Sequence, residues 1–445
     1  MKLKPYPKYK DLVDNKVNVI NLKPYLAICW HIHKIKFLLR KPVTDGPHES
    51  PEFIEEGIPF LSVDSIQNGK LIFEDCRYIS EEDHIRFKQK CNPQKNDVLM
   101  GKAASIGKIA IVDVDFEFST WSPLALLRPN KKNILPKFLE YSLKSDYCQD
   151  QIGLYATSNT QKNISMDDIP RIQIITPSIK EQSLIVKFLD AKTSKIDALI
   201  EKNKKLIVLL KEKRTTLINH VVTKGLDPNV KLKDSGIYWI GKIPEGWEVR
   251  RIDKLSTVSR GASPRPIDDP KYFDDEGEYS WVRIADITAS ERHLEETTEK
   301  LSVLGKSLSV PLEPGRLFIS IAGTVGKPII TKIKCCIHDG FVYFKNLKVL
   351  NEYLYYIFIG GQAYLGLGKL GTQLNLNTET IGLITIPLPS KEEQQKIVDY
   401  LDQATSKIDK TIEKIEKKIA LLGEYKKSLI HHVVTGKIDL REAVA

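Results

Sequence analysis

No stretch of this 445-residue chain reaches the roughly 18 consecutive apolar residues of a membrane-spanning helix, so none is expected. Cysteine is scarce, at six residues, and no two stand in a CxxC spacing. Adjacent Cys335 and Cys336 are poorly placed to ligate one tetrahedral zinc, so reduced thiols in a cytoplasmic protein are the expectation. The opening MKLKPYPKYKDLVDNK is basic, carries prolines and has no apolar core, so export is not expected. Acidic side chains are the minority charge, 57 against 67 Lys and Arg, which leaves a net charge of +10. That balance points to an acidic partner, nucleic acid first. With 42% hydrophobic and 28% charged residues, the composition is that of a soluble globular protein of two or three domains.

Complete catalytic motifs are missing too. GKAASIGKIA (101–110) has the look of a phosphate-binding loop, but five residues separate Gly101 from Gly107 where a P-loop has four. Lys108 is followed by Ile109, so the hydroxyl that would hold Mg²⁺ is absent. NPQK (92–95) lacks the second proline and the aromatic residue that would grip a flipped base. The acidic run DDPKYFDDEGE (268–278) has no following ExK and reads as a solvated loop. Isolated His220, His431 and His432 lie near expected helix ends, where cations favour the dipole, and make poor metal or catalytic candidates.

What the chain does have is a repeat. PSIKEQSLIVKFLDAKTSKID… from Pro177 and PSKEEQQKIVDYLDQATSKID… from Pro389 align without a gap at an offset of 212, more than half identical over 47 residues. Ser178 with Glu181, and Ser390 with Glu393, have capping-box spacing, and Gly225 and Gly436 follow the last apolar turns. Apolar residues recur between these signals at Ile196, Leu199, Leu206, Leu210 and Leu217, and at Ile408, Ile415, Leu422 and Leu429. Two long helices with a heptad-like seam are predicted, paired antiparallel within one molecule in preference to forming separate dimerisation arms.

The repeat continues weakly outside the helices. GIPFLSVDSI (57–66) resembles EYSWVRIADI (278–287), GKAASIGKIA resembles SIAGTVGKPI (320–329), and TSNTQKNIS (157–165) matches KLGTQLNLN (369–377). Short strands such as KIAIVDV, RLFISIAG and GFVYFKNL, with helices near 136–151 and 351–363, make the globular parts α+β. The expected fold is two homologous α+β modules separated by two long helices, with approximate two-fold symmetry. For a DNA reader, similar helices and divergent modules imply one spacer and two different half-sites.

The PSxxEQ starts, the TSKID segments, the HVVT helix ends and DSGIYWIGKIPEGWEV (234–249) together closely resemble the specificity subunit of Type I restriction-modification systems. The resemblance covers nearly the whole chain, except residues 12–29, which are atypical. It implies a first target recognition domain at 1–176, a central helical region and linker at 177–230, a second recognition domain at 231–388 and a distal helical region at 389–445. It also implies a non-catalytic, DNA-recognising subunit in the cytoplasm. Its partners would be double-stranded DNA, two methyltransferase subunits that use S-adenosylmethionine to methylate adenine N6, and two restriction subunits that use ATP and Mg²⁺. No cofactor would be bound by this chain, and DNA affinity would fall steeply with salt. A coiled-coil bridging protein without DNA specificity, or a member whose partners are lost, are the alternatives.

Candidate DNA contacts fall in three places. Lys102, Ser105, Lys108 and Lys327 lie in the glycine–lysine loops, either as structural turn residues or as phosphate contacts. Gln161, Lys162, Asn163, Gln373 and Asn375 lie in the polar segments; Gln and Asn can pair with adenine edges, but residues shared by both modules more naturally hold the fold. Arg260, Ser263 and Arg265 lie in SRGASPRPIDD, where the modules diverge, and arginine pairs bidentately with guanine.

Overall fold

Both PSxxEQ sequences open a long helix in the computed structural model, which describes residues 30–157, 162–367, 376–438 and 440. The central helix spans Ile179–Lys224 and the C-terminal helix Lys391–Val434. At 1.5 Å per residue the 46 residues of the first extend about 69 Å. Each motif residue has a task. Ser178 Oγ accepts the Glu181 N–H at 3.3 Å, and the Glu181 carboxylate accepts the Ser178 N–H at 3.2 Å. Ser390 and Glu393 repeat this at 3.2 Å in both directions. The glutamine is buried in both copies. Gln182 accepts the Leu135 N–H at 2.8 Å and donates to Pro177 O at 3.0 Å. Gln394 does the same with Leu350 and Pro389, both at 3.0 Å. Leu135 and Leu350 are the N-cap residues of helices Pro136–Lys144 and Asn351–Ile359, so the glutamine fastens each long helix to a module helix. TSKID does not interrupt either rod. Beyond the ends, Gly225 (φ +74°) and Gly436 (φ +73°) take the left-handed conformation that closes a helix.

The chain divides by contact into two units, 1–203 with 417–445, and 204–416. Each long helix is therefore shared between units, although the sequence repeat places each wholly after one module.

In the first unit, His31–Lys34 pairs antiparallel with Gln173–Thr176, the strand that leads into the central helix. A four-stranded antiparallel sheet runs Thr44–Asp45, Leu124–Leu127, Val98–Gly101, Ile109–Ile111. A second sheet holds Arg77–Ile79, Ile58–Leu61 and Ser119–Thr120. Strands Val98–Gly101 and Leu124–Leu127 are buried at every position, and their alternation serves two cores. Val98, Met100, Ala125 and Leu127 face the module helices, while Leu99, Leu124 and Leu126 join Leu61, Val63 and Phe118 on the other side. This double burial is why the strands read as unbroken apolar runs. The larger core also takes Ile185, Leu189 and Ile196 from the central helix and Leu429, Ile430 and Val433 from the C-terminal helix.

The second unit repeats the plan. Glu248–Arg251 pairs with Thr385–Leu388, ahead of the C-terminal helix. A five-stranded sheet runs Thr257–Arg260, Phe341–Lys345, Leu317–Ser320, Pro328–Thr331, His293–Leu294, beside a four-stranded one that contains Tyr279–Val282 and Cys335–Ile337. Leu317 and Ile319 enter the core that holds Ile218, Val221, Ile397 and Leu401, whereas Phe318 faces the smaller core of Val282 and Ile337.

The helical seam differs from the expected one in the central helix. Leu199 and Leu206 are 45% and 43% exposed and stand off the seam. Its steps from Ile196 run four then three, through Ile200 and buried Asn203 in the first unit and through Ile207, Leu210, Arg214 and Leu217 in the second. Asn203 sits on the seam because its amide donates to Leu199 O at 2.6 Å, a local bond that covers a polar group no apolar count would include. On the C-terminal helix Ile415 and Leu429 are buried and Ile408 and Leu422 half-buried, at the expected places. The pairing is antiparallel in each unit. Asp197 of TSKID accepts from Lys426 Nζ at 2.6 and 2.7 Å in the first, and its repeat counterpart Asp409 accepts from Arg214 Nε at 2.9 Å in the second. Arg214 and Lys426 are themselves 212 residues apart, so the two ion pairs are one contact made twice.

Candidate nucleic-acid interface

The glycine–lysine loops are hairpin connections built the same way twice. In the first unit the Gly101 N–H bonds Lys108 O at 2.8 Å and the Gly107 N–H bonds Gly101 O at 2.9 Å. In the second, Ser320 bonds Lys327 O at 3.1 Å and Gly326 bonds Ser320 O at 2.8 Å. Gly107 (φ +75°) and Gly326 (φ +84°) hold left-handed backbone that a side chain would strain. A helix-side donor then seals each glycine carbonyl: Gln149 Nε2 at 3.0 Å on Gly107, Tyr364 Oη at 2.8 Å on Gly326.

The lysines point back into the fold. Lys108 Nζ lies 3.5 Å from Val63 O, in the turn after strand Ile58–Leu61. Lys327 Nζ donates to Ser290 O at 2.5 Å and Thr288 O at 3.3 Å, at the end of helix Ile284–Ala289. An ammonium at a helix C-terminus satisfies orphan carbonyls and suits the dipole. Burial holds the Lys327 pKa below the usual lysine range. Both lysines thus clasp the short turn or helix that the matching GIPFLSVDSI and EYSWVRIADI segments run into. Lys102, open in the sequence between a turn residue and a phosphate contact, is turned inward as well. Its side chain is 8% exposed and lies 3.2 Å from the Asp45 carboxylate, so its charge is spent inside the fold. Ser105 is half-buried in the same loop.

Beside each loop lies a corner organised by a carboxylate, which sequence reasoning missed. In the first unit buried Asp45 receives Lys90 Nζ at 2.6 Å, Lys102 at 3.2 Å and His48 Nε2 at 3.1 Å. Burial alone would raise its pKa; the two ammonium groups outweigh that and hold it below the usual value. In the second unit Arg260, Ser263 and Arg265 all converge on Asp339. Arg260 Nε donates to its backbone carbonyl, Ser263 Oγ to Oδ1 at 3.0 Å, and Arg265 Nη2 to Oδ2 at 3.0 Å. Against the opposing effect of burial, the Ser263 hydroxyl and the nearby guanidinium groups keep the Asp339 pKa low. Burial holds the His338 pKa below the usual histidine value, and its Nδ1 accepts the Gly340 N–H at 2.8 Å. A signal was present: Asp45 and Arg260 each precede a glycine, Gly46 or Gly261, whose missing side chain would strike the backbone of Thr120 or His338.

Lys162 and Asn163 are exposed, and Asn163 forms a bridge with Ala103 of the glycine–lysine loop. Gln161, Gln373, Asn375 and the atypical stretch 12–29 lie outside the described residues. Among the described residues no group of His, Cys, Asp or Glu could hold a metal, and no helix is long and apolar enough to cross a membrane. Cys91, Cys148, Cys335 and Cys336 are buried; burial pushes the Cys148 thiol up to about 12, so these side chains are packing groups.

The family model for the Type I restriction modification DNA specificity domain matches twice, over residues 42–209 and 244–421. The chain belongs to that family. Each match covers most of one module and about the first two thirds of the long helix that follows it. The MjaVIII specificity subunit of a Methanocaldococcus jannaschii type I restriction enzyme is 24% identical over 415 residues, 88% of this chain and 91% of the relative. The StySPI specificity subunit of Salmonella potsdam is 24% identical over 392 residues, 84% and 81% of the two chains. In fold, the chain resembles one from a structure of type I restriction-modification complex assembly and conformational transition, with a TM-score of 0.71, 17% identity and coverage of 92% and 98%. The HsdS subunit from Thermoanaerobacter tengcongensis gives 0.53, with 18% identity and coverage of 94% and 99%. Membership makes the chain a specificity subunit, the non-catalytic component that recognises the DNA target, with the catalytic activities in other subunits.

Proposed function

We propose that the two modules read two different half-sites of one bipartite, asymmetric DNA target, and that the paired helices set the spacer between them. One observation carries the reading: the DNA specificity domain is matched twice in a single chain, on modules with the same internal clasps but divergent strand-end residues. Two methyltransferase subunits dock on the repeated helical elements and bring S-adenosylmethionine to adenine N6. Two restriction subunits join through them and use ATP and Mg²⁺, in the cytoplasm. This chain supplies the address and none of the chemistry.

The test is a map of methylated adenines in DNA from cells that express the chain with its methyltransferase partner, against the partner alone. The expected result is a two-part motif that depends on this chain. A contiguous motif, or none from an assembled complex, refutes the reading. A matched heptad inserted near 202–210 and near 413–421 should lengthen the spacer and leave both half-sites unchanged. Altered half-sites at constant spacing would remove the helices from that role.

A further inference from the structure

Residues that both modules share cannot distinguish two half-sites. The shared set is now visible: Gly107 and Gly326, and Gln182 and Gln394, make the same bonds in each unit, and Lys108 and Lys327 both turn onto backbone carbonyls of their own module. Readers of different bases belong where the frame is the same and the chemistry is not.

One corner meets that condition. Asp45 pairs with Ala125, and Arg260 with Val342, at the end of the matching edge strand and one residue before the tightly packed glycine. The facing turn is anchored alike, by Lys102 N–H on Pro123 O and by Ile321 N–H on Gly340 O, both at 2.8 Å. On this common backbone the side chains reverse. A carboxylate, Asp45, stands in the first unit where a guanidinium, Arg260, stands in the second; Ser122 stands where Asp339 does.

Arg260 and Arg265 are both exposed in the second corner; Arg260 Nε is tied to the Asp339 carbonyl, and the Arg265 side chain is 70% exposed. Among the described residues it is held only through Nη2, so most of its five donors remain uncommitted. A carboxylate 3.0 Å away is a poor companion for a phosphate contact, because it repels the anion the guanidinium would attract. Toward a neutral base edge it has no such cost and fixes the plane of the fork. In the first corner Asp45 likewise holds Lys90 and His48, whose side chains are 50% and 68% exposed.

We propose, building on the two-half-site reading above, that these corners are specificity-determining: Arg265 contacts a base edge in one half-site with Asp339 as its positioning residue, and Lys90 on Asp45 serves the other half-site. Guanine, with two acceptors in the major groove, is the base that fits both cations.

The test uses the same methylation map on the intact complex, with Arg265→Gln, Asp339→Asn and Lys90→Gln. Arg265→Gln should relax one position, or two adjacent ones, in a single half-site, with discrimination lost by about 5- to 150-fold. The other half-site and the spacing should stay as they were. Asp339→Asn should relax the same position less, because its amide oxygen still accepts from Arg265, and Lys90→Gln should relax the opposite half-site. An unchanged motif with Arg265→Gln overturns the assignment, as does methylation that falls equally at every site, the mark of a phosphate contact. Arg265 is exposed enough for its variant to fold, so it decides the matter even if Asp339→Asn does not assemble. A wild-type map without two parts defeats the bipartite reading and this inference with it; a two-part wild-type map that Arg265→Gln leaves intact defeats this inference alone.

Discussion

Replacing Gln182 by leucine is a stringent check on the account given for the PSxxEQ motif. The side chains are similar in volume, so little cavity is made, and the effect isolates hydrogen bonding. A leucine there could not accept the Leu135 N–H or donate to Pro177 O, bonds of 2.8 and 3.0 Å. Pro177 is buried and Leu135 half-buried, so water does not readily replace either bond. The third contact, to Asn133 O, ends on an exposed residue and is rehydrated. Two stranded groups at about 1–3 kcal/mol each give a loss of about 2–6 kcal/mol. For a unit of about 230 residues that lowers its Tm by roughly 4–24 °C. Calorimetry measures the shift, and hydrogen exchange locates it: amides of Pro136–Lys144 and the first turns of the central helix should exchange faster. Gln394→Leu should move the effect to Asn351–Ile359. A Gln182→Leu chain within about 0.5 kcal/mol of wild type, or unchanged exchange at 136–144, would refute the claim that this residue fastens two helices.

The TSKID ion pairs should matter far less. Asp197 and Asp409 are about half exposed, so a double-mutant cycle on Asp197 with Lys426 should return about 0.2–1 kcal/mol, and a larger coupling would mean the pair is desolvated. His431 provides a pH signature in the first unit. Burial first, and Lys437 second, hold its pKa at about 4 against 6.5 unfolded, so the fold keeps it neutral while the unfolded chain takes up a proton. Its contribution is therefore complete above pH 6.5 and lost as pH falls toward 4, about 3 kcal/mol in all. Unfolding midpoints at pH 7, 5.5 and 4.5 should show the decline, and His431→Asn, the residue found at the equivalent Asn219, should flatten it.

Much of the fold was legible because it rests on local rules. Capping spacing, the glycine stops and a gapless 212-residue offset located both helices without any tertiary information. The seam was harder. A count of apolar residues selected Leu199 and Leu206, whereas the true stripe passes through Asn203, made compatible with burial by a bond to its own helix. The site was legible in outline only. That the glycine–lysine loops form a repeated turn followed from their glycines, but which way each lysine points depends on carbonyls more than 35 residues distant in sequence. The segment 260–265 stood out because the modules diverge there. Its organiser, Asp339, did not, since nothing in CCIHDGFVYF marks one aspartate as the acceptor for three residues some 75 positions earlier. Long-range hydrogen bonds leave no periodic trace.

The repeat in the sequence is not the unit that folds, and this leads to a final prediction. Trp30 donates to Glu181, at the start of the central helix, yet its ring lies against Gly436, beyond the end of the C-terminal one. Trp247 donates to Glu393 and lies against Gly225. Each tryptophan thus takes the beginning of its own repeat's helix and the end of the other's. A fragment cut at the repeat boundary, 231–445, would lack Ile218, Val221, Val222 and Gly225, and so would open the core around Trp247. The segment 204–416 retains these residues together with Ile397, Val398 and Leu401, and it is continuous in sequence. It should unfold cooperatively on its own, with dispersed amide resonances, whereas 231–445 should bind hydrophobic dyes and exchange rapidly around 239–252. If instead 231–445 proves the stable fragment and 204–416 the molten one, then the repeat, and not the contact-defined unit, is what the cores support.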